Sequence, residues 1–278
     1  MRSTERDTAG AADDTDGTLP DASARSIDQD APTPPVSVLG RASSVLGAFD
    51  DRTPVLGVSE IARRTGLAKS TVHRLVSEMV TCRLLARERG GYRLGGWLFE
   101  LGELVPTHRT LSDAARPIME DLREATHRRV HLAVLDGSEV VYVNILGGSS
   151  MGLASRVGGR LPAHATGVGK VVLAYSPQAV VKEVVAAGLP ALTDRTITTA
   201  EELDLELRRI RSIGMALEVG ESHEGFACVA APVFGAERHI LAGLSLTGPV
   251  DKIDPIELGP AVRTAAFVLS RTLRQSGI

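Results

Sequence analysis

SEIARRTGLAKSTVHRLVSEM, residues 59–79, reads as two short helices joined by a tight turn. Ser59 and Ser70 stand where N-caps belong, and Gly66 supplies a positive φ between them. Ile61, Ala62, Leu67, Val72, Leu75, Val76 and Met79 fall on inward faces, with Ala62 small where the helices cross. The polar remainder gathers at the start of the second helix. There Lys69, Ser70, Thr71, His73 and Arg74 are short or cationic hydrogen-bonding side chains, suited to base edges and phosphates when a helix N-terminus lies in the major groove. Downstream, RLLARERGGYRL (83–94) places Arg87, Arg89 and Arg93 around a Gly90–Gly91 hairpin turn, a wing able to lie along a phosphate backbone. Upstream, Val38, Leu39, Ala42, Val45, Leu46 and Phe49 recur at helical spacing from Val38 to about Asp50, and a turn at Asp51–Pro54 ends that helix.

Charge is segregated in the same way. The 278 residues carry a net charge of -3, yet residues 38–97 hold 10 Arg and Lys against 5 Asp and Glu, while residues 1–37 hold 3 against 8. A basic module inside an acidic chain is what counterion displacement from a duplex needs, although charge alone fits a solvated basic face equally well. Residues 1–37, rich in Asp, Ser, Thr and Pro, cannot offset the entropy of ordering and read as a disordered acidic tail. The length suggests about two domains, and 43% hydrophobic with 23% charged residues is ordinary soluble composition. There is no uncharged apolar run of about 18 residues and no secretory signal, so a cytoplasmic protein without membrane contact is expected. Cys82 and Cys228, without a CxxC, exclude a disulfide framework and a Cys-rich zinc site. One Trp, three Tyr and five Phe are too few for the stacking platforms of single-strand binders, which leaves duplex DNA open.

Beyond the basic module, Trp97, Leu98, Leu101, Leu104 and Val105 form an apolar stripe on a short helix ending near Pro106, favoured as a dimer seam. A further helix, Leu111 to Thr126, is expected to break or restart at Pro117. Residues 130–145 alternate as a β-hairpin turned at Asp136–Gly137, followed by a glycine-rich loop over 147–159. Helices over 166–175 and 177–187, a Thr199/Glu202 capping box opening a helix to Ile213, strands at 215–219, 226–233 and 240–247, and a helix from about 255 to 275 complete an α+β arrangement for about 115–278.

Two motifs are set aside. Gly167–Val168–Gly169–Lys170 lacks the glycine spacing and the following Ser or Thr of a phosphate loop, so Lys170 belongs to a helix. ESHEG (221–225) with Cys228 offers Glu221, His223, Glu224 and Cys228 as a metal cluster or as acid/base groups beside a thiol, but no second histidine lies at ligand spacing. A solvated acidic loop is the favoured reading. A hydrolase-like or metal-dependent enzyme built around Cys228 and Glu221 is the rival class.

Residues 59–79 resemble the winged helix-turn-helix of the IclR (isocitrate lyase regulator) family of bacterial transcription factors. GGRLPAHATGVGKVVLA (158–174), LTDRTITTAEEL (192–203), RSIGMALEVGESHEGFACVAAPVFG (211–235) and SLTGP (245–249) resemble, in order, that family's effector-binding domain. The resemblance covers about residues 38–275. It implies an α+β chain with a winged helix-turn-helix domain over 38–96, a linker and dimerisation helix over 97–114, and a GAF-like α/β effector-binding domain over 115–278. It further implies a DNA-binding regulator, read as a repressor, with no catalytic residues, metal or cofactor. Its partners would be double-stranded operator DNA, a small-molecule effector, and copies of itself in a homodimer or dimer of dimers. Carried over residue by residue, base contact falls on Lys69, Ser70, Thr71, His73 and Arg74, and the wing on Arg87, Arg89 and Arg93. Effector contact falls on Gly159, Arg160, Leu161, Pro162, His164, Ala165, Glu218, Cys228, Ser245 and Thr247.

The residues themselves allow such a pocket. Ser245 and Thr247 lie two apart and share a strand face, and Arg160 offers the fork that a carboxylate effector prefers. The competing account has Cys228 as a small buried hydrophobe and the two hydroxyls satisfied locally.

Overall fold

In the computed structural model, which describes residues 37–50, 53–147 and 155–277, the opening segment forms two helices, α2 (Val58–Thr65) and α3 (Lys69–Thr81). The expected acidic tail lies outside the described residues up to Ser37, as do Asp51–Arg52 of the first turn and residues 148–154 of the glycine-rich loop. Two compact units divide the chain, Met1–Leu101 and Gly102–Ile278.

In the first unit α1 (Val38–Gly47) is capped by Ser37, whose Oγ accepts from Gly40 N at 2.9 Å. Ser59 and Ser70 do not cap their helices. The caps are Gly57 and Ala68, neither making a side-chain cap bond, and each serine sits one residue inside the helical run. Gly66 does close α2 in the left-handed region, at φ 69°. Ile61, Ala62, Leu67, Val72, Leu75, Val76 and Met79 are all buried, together with Val45 and Phe49 of the α1 segment. Arg64 ties this core to the end of the first helix: its guanidinium donates to Ala48 O at 2.8 Å and pairs with Asp50 at 2.7 Å and Glu60 at 2.8 Å. The Thr53 hydroxyl and Arg64 hold Asp50 well below the usual carboxylate range.

The wing is β1 (Leu85–Glu88) with β2 (Gly91–Leu94). Glu88 pairs with Gly91, so the turn is Arg89–Gly90 rather than Gly90–Gly91. Packing requires glycine at the start of β2: a Cβ at Gly91 would lie 2.3 Å from Leu56 O, whose residue bridges Tyr92 on the neighbouring backbone. A short helix α4 (Gly96–Gly102) follows and contains no buried residue.

The second unit starts with α5 (Pro106–Thr126), with Pro106 in its first turn. The apolar stripe is therefore divided, α4 stopping at Gly102 instead of near Pro106. The helix also runs unbroken through Pro117, against expectation. Pro117 is exposed, so the carbonyl of Asp113 that its ring deprives of a donor lies on the solvent side, where water satisfies it.

A six-stranded antiparallel sheet forms the middle layer, in the order β5-β4-β3-β8-β7-β6: β3 (Arg129–Asp136), β4 (Glu139–Leu146), β5 (Arg160–Pro162), β6 (Ala216–Val219), β7 (Phe226–Phe234) and β8 (Ile240–Pro249). Side chains of α5 and α9 (Pro255–Gln275) share one core with Val229, Leu244 and Leu246. On the other face α6 (Gly167–Tyr175), α7 (Gln178–Ala186) and α8 (Ala200–Ile213) share a second core with Tyr142, Cys228 and Ala230. Burial on both faces explains why FACVAAPVF in β7 is almost uniformly apolar instead of alternating. Thr199 caps α8, accepting from Glu202 N, and Gly214 ends it. Among the described residues no helix is long and apolar enough to cross a membrane.

Candidate functional site

The amphipathic pattern of α3 leaves one polar face. Val72, Leu75, Val76 and Met79 are buried, whereas Lys69, Ser70, His73 and Arg74 are exposed and Thr71 is half-buried at the edge. Among the described residues neither Lys69 nor Arg74 has an ion-pair partner, so both cations are available to phosphate or base. The three wing arginines do not act alike. The register pairs Arg87 with Tyr92 and Ala86 with Arg93, which puts Arg87 and Arg93 on opposite faces of the hairpin. Arg87 lies over the Tyr92 ring at 5.7 Å, Arg93 is paired with Glu88 at 3.2 Å, and Arg89 stands exposed at the turn.

In the second unit a cavity of about 30 Å³ opens where the N-terminus of α6 meets the sheet. Strand register assembles it. Glu218 faces Cys228 across β6 and β7, Cys228 faces Thr247 on β8, and Ser245 faces His131 on β3. Thr166, Gly167 and Val168 close the wall, with Tyr142, Ser155, Leu161, Ser222 and His223 around them. Thr166 caps α6 by accepting from Gly169 N at 3.0 Å, and Gly167 lets the helix end approach the sheet, since a Cβ there would sit 2.8 Å from Cys228 Sγ. The positive end of the helix dipole thus borders the cavity.

The titrating groups are set by burial. Arg129 Nε donates to His131 Nε2 at 2.9 Å, so the ring proton sits on Nδ1, 3.3 Å from Thr247 Oγ1. Burial, with Arg129 beside it, pushes His131 down to about 3 and keeps it neutral. Burial raises Glu218 to about 7, even though its Oε1 accepts from Glu221 N at 2.6 Å and Ser222 N at 3.1 Å. The Cys228 thiol is pushed up to about 11 by burial and by Glu218, against the opposing pull of the Ser245 and Thr247 hydroxyls beside it. It is a thiol, not a thiolate. Ser245 Oγ is buried and makes no hydrogen bond of regular geometry.

Of the ten residues expected to hold an effector, Leu161, Glu218, Cys228, Ser245 and Thr247 line this cavity, and Gly159, Arg160, Pro162, His164 and Ala165 do not. Arg160 lies apart from the cavity. Its guanidinium pairs with Asp136 and with Glu139, so its fork is occupied. His164 is buried with Nε2 3.1 Å from Pro190 O, tying the turn before α6 to the loop after α7. Gly159 and Pro162 lie along the β4 edge, Gly159 O accepting from Tyr142 N. Sequence reading missed His131, Tyr142, Thr166 and Gly167. The alternation of 130–145 and the threonine preceding a Gly-Val-Gly helix start carried that signal.

The ESHEG segment is corrected too. Glu221 is buried, not solvated, and its Oε1 lies 2.5 Å from Lys170 Nζ. Thr193 and Thr196 hydroxyls donate to the carbonyls of Gly220 and Glu221 at 2.6 and 2.7 Å, fixing the loop whose Ser222 and His223 reach the cavity. Among the described residues no three His, Cys, Asp or Glu side chains come together as a metal site.

Comparison with known proteins places both units. Residues 105–271 match "Bacterial transcriptional regulator IclR C-terminal" and residues 38–89 match "IclR helix-turn-helix domain". The chain is 32% identical over 247 residues to the HTH-type transcriptional regulator XynR of Escherichia coli, covering 86% of this chain and 98% of that one. It is 30% identical to the transcriptional repressor IclR of the same organism, covering 78% and 82%. Among solved structures, an IclR homolog of Microbacterium hydrocarbonoxydans complexed with 4-hydroxybenzoate superposes with a TM-score of 0.76 at 31% identity, covering 86% of this chain and 100% of that one.

Proposed function

The chain belongs to the IclR family, as an effector-modulated DNA-binding transcriptional regulator, and on that premise we propose that it is a repressor whose operator affinity is set by a small organic acid in the cavity at the N-terminus of α6. The buried Ser245 hydroxyl, which lines the cavity beside the Cys228 thiol and makes no hydrogen bond of regular geometry among the described residues, is the observation that carries the site assignment. A buried hydroxyl left short of good hydrogen bonds is destabilising, by up to about 1–3 kcal/mol, and a ligand oxygen relieves that. The helix terminus and the hydroxyls of Thr166, Thr247 and Ser245 supply the donors a carboxylate needs, in place of the occupied Arg160. Glu218, near neutral, holds a proton when an anion enters, since two carboxylates side by side cannot both ionise cheaply. A cavity of about 30 Å³ has room for about one or two waters, so a ligand as large as a benzoate requires the cavity to widen.

Regulation follows if the ligand favours one of two arrangements of the paired recognition helices. Only a difference in affinity for the two states shifts their populations. Lys69, Ser70, Thr71, His73 and Arg74 would enter the major groove, with Arg89 foremost among the wing residues on phosphate. Phe99, Leu104 and Val105 are exposed apolar residues, which supports pairing with a second copy through the 97–114 segment. Catalysis is not part of the reading: Cys228 is a buried thiol, and both nitrogens of the neutral His131 are engaged. Fluorescence anisotropy tests the whole reading. The protein should bind duplex from upstream of its own gene in preference to a scrambled duplex, lose affinity steeply with salt, and release the operator on addition of a small aromatic or aliphatic acid. Equal binding to both duplexes with no response to any acid would overturn it.

A further inference from the structure

At the opposite end of α6 from the effector cavity lies a second concavity of about 290 Å³. Its apolar surface is aromatic. Tyr175, the last residue of α6, stands edge-on to Phe234 of β7 with ring centroids 5.2 Å apart, and Phe267 of α9 is 62% exposed at the rim. Its polar surface is cationic. Arg238, Arg263 and Arg274 all line it, all are exposed, and among the described residues none of the three is in an ion pair. Three guanidinium groups converging on one hollow repel one another, and nothing in the hollow offsets that.

The backbone adds an independent observation. Glu237 and Arg238 are consecutive non-glycine residues in the left-handed region, at φ 50° and 59°, on the loop between β7 and β8. Left-handed backbone is costly for side-chain-bearing residues and persists where the surroundings fix it, often at ligand sites. Here it delivers Arg238 to the hollow. Arg263 and Arg274 reach the same place from the outer face of α9, three turns apart, with Phe267 between them.

We infer that this hollow is a second ligand site, distinct from the effector cavity, for an organic anion that has a flat unsaturated body and at least two negative groups. The guanidinium planes pair with carboxylate or phosphate oxygens in two-point fashion, and the aromatic wall receives the flat body. A simple inorganic anion would use only half of the site. Both ligand sites abut α6, whose residues from Gly167 to Ala174 are all buried and rigidly packed, so occupancy at one end meets the same helix as occupancy at the other.

Benzene-1,3,5-tricarboxylate is the probe, titrated calorimetrically into the full-length protein beside inorganic phosphate. The expected result is saturable binding of one probe per chain, about tenfold or more tighter than phosphate and weakened at least about tenfold in Arg263→Gln/Arg274→Gln. Lys182→Gln, the loss of one positive charge on the exposed face of α7, should leave it unaltered. No saturable binding, undiminished binding in the double variant, or phosphate binding as tightly as the probe would each overturn the inference. Sedimentation velocity adds one more overturning outcome: an assembly that the double variant dissolves would make the hollow a contact between copies. Loss of operator response to small acids does not enter this test, which therefore fails or succeeds apart from the effector-cavity reading.

Discussion

Lys170 Nζ lies 2.5 Å from Glu221 Oε1 in the interior of the effector unit, with Glu206 of α8 a further partner at 3.8 Å. The lysine is 1% exposed and the second oxygen of Glu221 has no hydrogen bond, so the pair is held in place by its surroundings and cannot relax into water. Removing one member leaves a buried charge uncompensated, which typically costs 3–5 kcal/mol, far more than an exposed pair. Lys170→Met should therefore destabilise this unit by about 3–5 kcal/mol in urea unfolding followed by circular dichroism. Adding Glu221→Leu should recover most of the loss. A single-variant cost below about 1 kcal/mol would show that the pair is solvated.

Glu218 makes the effector unit sensitive to pH. Its folded value of about 7 stands above the ordinary 4.5, so between these limits the folded protein binds the proton that the unfolded chain has released. Stability then falls as pH rises through this window, and the contribution is flat below about 4.5 and again above about 7. Glu218→Gln keeps an oxygen for the Glu221 and Ser222 amides and removes the titration. Thermal unfolding from pH 4.5 to 8 should show the variant gaining on the wild type as pH rises, by an amount on the order of 3 kcal/mol at the upper end. Parallel stability profiles would mean that Glu218 is solvated. The same titration predicts tighter binding of an acid effector below pH 7 than above it.

Periodicity carried the helix-turn-helix core residue by residue, because apolar spacing on two short helices admits one inward face. Helix starts were less legible: Ser59 and Ser70 suit a cap, but packing placed Gly57 and Ala68 there. The wing turn falls one residue earlier because Gly91 pairs with Glu88 in the strand, where its missing Cβ makes room for Leu56, remote in sequence. In the effector unit the strand residues Glu218, Cys228, Ser245 and Thr247 were legible from alternation and resemblance. Arg160 was not, since its partners Asp136 and Glu139 lie on another hairpin. Glu221 read as part of a solvated loop and Lys170 only as a helix residue, and their burial is a property of the pair. Pro117 is tolerated inside α5 where it and Asp113 face solvent, and that exposure is not written locally.

Ser245 should show opposite effects on stability and on binding. Its hydroxyl is buried without a regular partner, so Ser245→Ala in the ligand-free protein should be neutral or stabilising by up to about 1 kcal/mol. The same change should weaken effector binding and blunt operator release while ligand-free operator affinity stays intact. Calorimetric unfolding with and without effector, alongside anisotropy, reads both effects. Destabilisation together with unchanged effector affinity would remove Ser245 from the site.

Arg74 and the wing arginines should separate base reading from phosphate contact. Arg74 is exposed on the polar face of α3 and has no ion-pair partner among the described residues, so Arg74→Ala should cost about 1–3 kcal/mol against operator and narrow the gap between operator and scrambled duplex. Arg89 is exposed at the hairpin turn, placed for phosphate contact in the proposed complex. Arg89→Ala should weaken both duplexes alike and lower the salt slope by about one. Arg93 already meets Glu88 at 3.2 Å, so its charge is partly spent and Arg93→Ala should change the slope by less. A salt series on all three variants checks the order, and a larger slope change for Arg93 than for Arg89 would mean that Glu88 gives way when DNA arrives.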